Sequence, residues 1–212
     1  MATFEDAAKG VLEGDADKVQ SLCEQLLKEG HEPLDIINDA LVAGMNEVGI
    51  LFKANEMYVP EVIASAEAME RGTGVVKALI NTEDIPCLGT VLLGTVKGDL
   101  HDIGKNLVKI MLEGAGFKVI DLGTDVPPER FVEEVKDNNP NIVAMSALLT
   151  TTMLSMKDTI EVLQEEGLRD DLKIVIGGAP VSEDFSNEIS ADGYSADAIT
   201  AVDICKNLMG IA

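Results

Sequence analysis

The sequence predicts two folded parts in tandem: an N-terminal four-helix bundle, then a flavodoxin-like (Rossmann-type) α/β domain with a doubly wound, parallel, five-stranded sheet. Three observations carry this reading. Apolar residues keep helical spacing through residues 1–80. Residues 81–87, Asn-Thr-Glu-Asp-Ile-Pro-Cys, break that periodicity and supply a proline, which marks a linker. Beyond them, short apolar runs alternate with helical stretches, as expected of parallel strands buried on both faces. The expected organisation is therefore a bundle over 1–80, a linker over 81–87 and an α/β domain over 88–212.

Each bundle helix has its own local signals. Thr3 with Asp6 resembles a capping box and opens the first. Val19, Leu22, Cys23, Leu26 and Leu27 form the stripe of the second, which Gly30 ends. Pro33 is placed to open the third, whose face carries Ile37, Leu41, Val48 and Phe52. The fourth begins near Pro60 and continues through Val62, Ile63, Ala66 and Met69. In the second part, strands are expected at Leu88–Val96, Phe117–Ile120, Ile142–Ser146 and Lys173–Ile176, with a weaker last one near Ala191–Tyr194.

Composition narrows the function classes. The formal charge of −22 repels nucleic-acid phosphates and anionic lipid surfaces, and no Lys/Arg cluster offsets it, so neither nucleic acid nor membrane is an expected partner. No apolar run approaches the roughly 20 residues needed to cross a bilayer, and a soluble, cytoplasmic protein is expected. Cys23, Cys87 and Cys205 lie far apart, which suggests buried small hydrophobes rather than a disulfide framework or a thiolate metal site.

The chemistry concentrates after the first strand, in the loop Lys97-Gly98-Asp99-Leu100-His101-Asp102-Ile103-Gly104, ahead of a helix expected from Lys105. A neutral imidazole is a good transition-metal ligand, and a carboxylate bonded to its second nitrogen fixes the tautomer and raises its basicity. Asp99 and His101 have the spacing for such a pair. A P-loop reading of the same stretch fails: the glycine spacing is wrong, Asn106 stands where Ser or Thr would hold magnesium, and Asp99 and Asp102 would repel phosphate. The other histidine, His31, follows Gly30 at a helix end and reads as a surface loop residue.

Asp99-x-His101-x-x-Gly104 is followed by Ser146-Ala147-Leu148 and then by Gly177-Gly178. In a doubly wound sheet, ligands bind beyond the carboxyl ends of the strands at the switch point between the first and third. The histidine loop follows the first expected strand, Ser146 ends the third and the glycine pair ends the fourth, so the three elements converge on one edge.

Together they resemble the corrinoid-binding signature of cobalamin-dependent methyltransferases and mutases. The resemblance implies a cobalamin or related corrinoid cofactor, with His101 as the lower axial ligand of cobalt and Asp99 as its hydrogen-bonded partner. Asp102, Ile103 and Gly104 complete that loop. Ser146, Leu148 and Thr150 would line the slot for the nucleotide tail, Gly177 and Gly178 would let it approach the backbone, and Tyr194 and Ala196 would lie near it. Thr152 stands where the family's methyl-transferring members add a hydroxyl beyond the acid, and Asp99 with Thr152 are the candidates for a proton relay. For Ser146 and Thr150, helix capping is the alternative, and for the glycines an ordinary turn.

The stretch Met45-Asn46-Glu47-Val48-Gly49, with Leu51-Phe52 and Met57-Tyr58-Val59-Pro60, is similar to the cap that precedes the corrinoid domain of cobalamin-dependent methionine synthase. The matching cofactor-covering positions are Phe52 and Val59, with Met57 between them. Val59 replaces a bulkier leucine of that family, and plain bundle core is the alternative for Met57 and Val59.

The whole chain thus resembles the corrinoid protein of multi-component methyltransferase systems acting on methylamines, methanol, betaines or aryl methyl ethers. Such a protein is not an enzyme on its own. It accepts a methyl group on cobalt(I) from a substrate-specific methyltransferase and yields it to a second methyltransferase that acts on tetrahydrofolate or a thiol carrier. A reductive activase is a further implied partner. The lower histidine would leave and return during turnover, and the cap would open about residues 81–87. The competing possibility is a corrinoid-binding sensor or cofactor carrier without methyl transfer.

Overall fold

The computed structural model describes residues 1–77 and 87–211, so the expected linker and hinge lie, except for Cys87, outside the described residues. The chain forms two compact units, the amino-terminal helices and an α/β region that begins at Cys87.

In the helical unit, α1 (Phe4–Leu12) starts at Thr3, whose hydroxyl oxygen accepts from the Asp6 N–H at 3.0 Å and donates to the Asp6 carboxylate at 2.7 Å. Asp15 caps α2 (Ala16–Lys28) by accepting from the Lys18 N–H, and Gly30 leaves that helix with φ +88°. Pro33 opens a continuous helical run made of α3 (Pro33–Asp35), a π-helical stretch over Ile36–Val42 and α4 (Ala43–Lys53). The last helix is α5 (Val59–Lys77).

One expectation for α5 fails. Its buried residues are Val62, Ser65, Ala68, Gly72 and Val76, whereas Ile63 is 49% exposed. The cause is a close crossing of α2 and α5. A Cβ on Gly72 would lie 2.8 Å from Val19 and 2.9 Å from Leu41, so small residues form the seam, and Ile63 sits about 100° round the helix from Val62.

The α/β unit contains β1 (Thr90–Thr95), α6 (Ile103–Gly114), β2 (Lys118–Asp121), α7 (Pro128–Asn138), β3 (Ile142–Ser146), α8 (Leu154–Glu165), β4 (Lys173–Gly177), α9 (Glu183–Glu188), β5 (Gly193–Ser195) and α10 (Ala198–Leu208). All strand pairs are parallel, in the order β2-β1-β3-β4-β5. That order places the topological switch between β1 and β3, as in flavodoxin-like folds. The strands match the apolar runs to within about two residues, as expected when both faces are buried. Helix α6 starts at Ile103, two residues before the expected Lys105.

On one face of the sheet, Leu92, Val143, Met145, Ile174 and Ile176 pack with Phe131, Val132 and Val135 of α7 and Met156, Ile160 and Leu163 of α8. Gly94 belongs to this face because a Cβ there would lie 2.9 Å from the Phe131 ring. Toward the far edge, α10 packs against β4 and β5.

Cys23 and Cys205 are buried as expected, and burial pushes their thiols up to about 11 and about 12. Cys87 departs from the expectation, since it is exposed just ahead of β1 and donates to the Gly89 carbonyl. His31 is exposed, with its ring edge-on to Phe4 at 5.0 Å. Among the described residues, no helix is long and apolar enough to cross a membrane.

Candidate functional site

Beyond Thr95 the chain leaves the sheet, and Gly98 turns it with φ +83°. That turn drops Asp99 into the interior at the β1–β3 switch, where it is fully buried. One carboxylate oxygen, Oδ1, accepts from the backbone N–H of His101 at 3.1 Å and lies 2.7 Å from His101 Nδ1. The other, Oδ2, accepts from Leu148 N–H at 2.7 Å, Leu149 N–H at 3.3 Å and the Thr152 hydroxyl at 2.8 Å. Burial alone would raise this carboxyl. The bonds from Leu148, His101 and Thr152 outweigh it and hold the group far below the usual carboxylate range.

An ionised carboxylate can only accept, so the 2.7 Å contact favours the neutral imidazole tautomer with its proton on Nδ1 and its lone pair on Nε2. The imidazole itself is 51% exposed. The structure thus buries the acid, bonds it to one ring nitrogen and leaves the imidazole half exposed, the arrangement expected of a metal ligand with its orienting partner.

The two loops that meet at Asp99, and the start of α8, expose apolar side chains. Leu100, Ile103, Leu148, Leu149 and Leu154 are 74%, 80%, 43%, 42% and 61% exposed. Leucines and isoleucines presented at the edge of a sheet beside one imidazole suit a large flat ligand. Gly104 opens the same surface, since a Cβ added to it would meet nothing within 4 Å. Asp102 is exposed, accepting from the backbone N–H and side chain of Asn106.

The remaining expected residues fall into four groups. Ser146, half-buried, pairs in register with Thr95 on one side and Gly177 on the other, while Thr150 is exposed in the loop that follows. Gly177 and Gly178 are also required by the protein itself. A Cβ on Gly177 would lie 2.9 Å from the Ser195 carbonyl oxygen, and one on Gly178, at φ +130°, only 1.9 Å from that of Ala147. Tyr194 is half-buried in β5 and Ala196 is exposed just after it. Phe52, Met57 and Val59 belong to the helical unit. There Met57 is buried, and Phe52 and Val59 are half-buried.

Sequence reasoning missed the frame behind the loop. Thr95, fully buried, donates its hydroxyl to the His101 carbonyl at 2.9 Å. Lys105 is 3% exposed and pairs with Asp121 at 2.6 Å, and Asp121 also accepts from the Gly123 N–H. Among the described residues, no cluster of three or more His, Cys, Asp or Glu is placed to hold a metal. A single outward imidazole fits a metal that brings its other ligands in a macrocycle, so these residues fit a corrinoid.

Comparison with known proteins agrees with this chemistry. Residues 89–203 match one B12 binding domain family and residues 3–77 match a second. The chain is 39% identical to a corrinoid protein of Desulfitobacterium hafniense, covering 99% of both chains. It is 40% identical to dimethylamine corrinoid protein 1 of Methanosarcina mazei, over 97% of this chain and 95% of that one. Its fold is similar to the crystal structure of the methanol:cobalamin methyltransferase complex MtaBC from Methanosarcina barkeri, with TM-score 0.91 and 33% identity over 99% of this chain and 80% of that one. Matched across both units and nearly end to end, the chain belongs to the family of B12-binding corrinoid proteins.

Proposed function

We propose that this protein is the methyl carrier of a multi-component methyltransferase system, holding a corrinoid at the carboxyl edge of its sheet with His101 Nε2 as the lower ligand of cobalt. The observation that carries the reading is the buried Asp99 bonded at 2.7 Å to the Nδ1 of an otherwise exposed imidazole at the switch point. Relatives named for dimethylamine and trimethylamine support methylated amines as the source of the methyl group, with methanol the alternative drawn from MtaBC. A bound corrinoid supplies the cobalt centre that takes and gives up the methyl group.

The chain's own residues supply position and basicity. Asp99 holds the Nδ1 proton and makes Nε2 a stronger donor. With a corrinoid bound, the hydrogen-bonded line Thr152–Asp99–His101 would be available to take up or release a proton at the imidazole. Leu100, Ile103 and Leu148 offer apolar surface to the ring system, and Gly104 leaves room for it. Ser146, Thr150, Gly177, Gly178, Tyr194 and Ala196 border the slot for the nucleotide tail. Phe52, Met57 and Val59 of the helical unit are the candidates for covering the cofactor's reactive face. The partners are a substrate-specific methyltransferase, a second methyltransferase acting on tetrahydrofolate or a thiol carrier, and a reductive activase, in the cytoplasm.

The test is to incubate the protein with hydroxocobalamin, remove free cofactor by gel filtration and compare visible spectra of wild type and His101→Ala. Wild type is expected to retain corrinoid with a histidine-ligated spectrum, and the variant to show the base-off form. Identical spectra would remove His101 from the metal. Methyl transfer that appears only when a partner methyltransferase is added supports the carrier role. Retention of the cofactor without any transfer favours a sensor or cofactor carrier.

A further inference from the structure

The histidine loop is fastened from behind by the chain that leaves β2. Thr95 N–H donates to the Gly123 carbonyl at 2.9 Å, and Val126 N–H donates back to the Thr95 carbonyl at 3.0 Å. Between these ties stands Asp125. Its backbone N–H donates to the Asp99 carbonyl at 2.9 Å, and its carboxylate Oδ1 accepts from the Gly98 N–H at 2.7 Å. The two bonds close a ring on residues 98 and 99, immediately before the ligand pair.

Asp125 does this from an uncommon backbone conformation, with φ +55°. That left-handed region is disfavoured for most L-residues and is visited most readily by Gly, Asn and Asp. A residue kept there by the surrounding structure points to a role in the adjacent site. The chemistry is specific as well. Gly98, three residues beyond β1 and itself left-handed at φ +83°, gives its N–H to the Asp125 carboxylate. If this bond is lost, the 97–98 peptide loses its acceptor and Gly98 can turn, carrying the Asp99 Cα with it. Asp99 Oδ1 then moves relative to His101 Nδ1.

We propose that Asp125 is a positioning residue for the lower ligand: its carboxylate holds the 97–98 peptide and its N–H the 99–100 peptide, and the two together aim Asp99 at His101. The inference rests on the reading of His101 as the cobalt ligand. It assigns a role to a residue 24 positions beyond the imidazole, bonded to the loop backbone at Gly98 and Asp99.

Three substitutions separate the two properties of the residue. Asp125→Asn keeps both a side-chain oxygen acceptor and tolerance of positive φ, Asp125→Gly keeps only the tolerance, and Asp125→Ala loses both. Each chain, with His101→Ala as control, is loaded with hydroxocobalamin and its ratio of histidine-ligated to base-off spectrum is read at pH 7. Asp125→Asn is expected to match wild type. Asp125→Gly should lower the ratio roughly tenfold, the equivalent of about 1.4 kcal/mol, and Asp125→Ala should lower it at least as far.

The cofactor-free chains are read in parallel by ¹⁵N NMR of His101, where wild type and Asp125→Asn should hold the Nδ1–H tautomer and Asp125→Gly should show a mixture. If Asp125→Gly only lowers the melting temperature while the ratio and the tautomer stay as in wild type, the residue is merely structural and the proposal falls. It also falls if Asp125→Asn behaves like Asp125→Gly. A His101→Ala spectrum identical to wild type overturns the ligand assignment and the proposal with it. The NMR result then shows separately whether Asp125 still orders the loop.

Discussion

The two edges of the parallel sheet each hold a carboxylate that binds the backbone, and they treat it differently. At the amino edge, Asp192 accepts from the Ile174 N–H and faces two cations, Arg169 at 2.8 Å and Lys173 at 3.7 Å. Its charge is spent within the protein. At the carboxyl edge, Asp99 is more deeply buried, yet the backbone and hydroxyl donors it takes from Leu148, Leu149 and Thr152 are neutral. Its charge is left to act on one imidazole. Beside it the chain exposes leucines and an isoleucine that the amino edge does not need. A neutralised acid joins strands to their loops, whereas one held by neutral donors keeps its charge for the imidazole beside it.

Exchanging the two acids for alanine breaks the comparison most sharply. Asp99→Ala should lower unfolding free energy by ~3–5 kcal/mol, because it strands the backbone donors of Leu148 and His101 and empties a buried charged site. Any folded fraction should bind corrinoid without histidine ligation. Asp192→Ala should cost ~1–3 kcal/mol and leave the corrinoid spectrum unchanged. Chemical denaturation and visible spectra of both variants check this, and a change of spectrum in Asp192→Ala would erase the distinction between the edges.

A smaller effect lies in the frame of the carboxyl edge. Asp121→Asn leaves the buried Lys105 without its counter-charge and should cost ~2–3 kcal/mol at neutral pH. Burial raises the Asp121 carboxyl, but the bonds from Lys105 and Gly123 lower it further, so its folded value lies below the unfolded one of about 3.9. The stabilisation is therefore complete above about pH 4 and is lost as pH falls through the folded value. Denaturation curves of wild type and Asp121→Asn should differ at pH 7 and converge in acid. A constant gap across that range would mean that the carboxylate's charge contributes nothing.

The smallest effect on stability is expected at Gly104. A Cβ there meets open space, and alanine is the better helix former, so Gly104→Ala should change stability by no more than about 0.5 kcal/mol, in the stabilising direction. Corrinoid retention after gel filtration should nevertheless fall, because the added methyl stands on the surface offered to the ring. Undiminished retention would show that the space over Gly104 is not used.

Much of this was legible in the sequence for physical reasons. Buried parallel strands are continuous apolar runs, so β1, β3 and β4 fall almost where those runs do, and one edge of the sheet gathers His101, Ser146 and Gly177 by topology alone. The π-helical stretch Ile36–Val42 left no mark, because widening a helix by one residue per turn barely disturbs its apolar spacing. Ile63 was misplaced for a related reason: an apolar stripe does not reveal that a neighbouring helix approaches over glycine. The frame of Thr95, Lys105, Asp121 and Asp125 was invisible because its members meet only through the fold. A lysine buried against a distant aspartate looks, in one dimension, like any surface charge.

The glycine pair after β4 also bears on how this family's sequences drift. Gly178 is demanded by the Ala147 carbonyl in the cofactor-free chain, so a descendant that abandoned B12 would still be under pressure to keep it. Gly104 and His101 carry no such obligation to the backbone and are free to be lost first. When distant sequences are sorted into those that bind a corrinoid and those that only inherit the scaffold, the histidine loop is the better witness, and the glycine pair testifies mainly to ancestry.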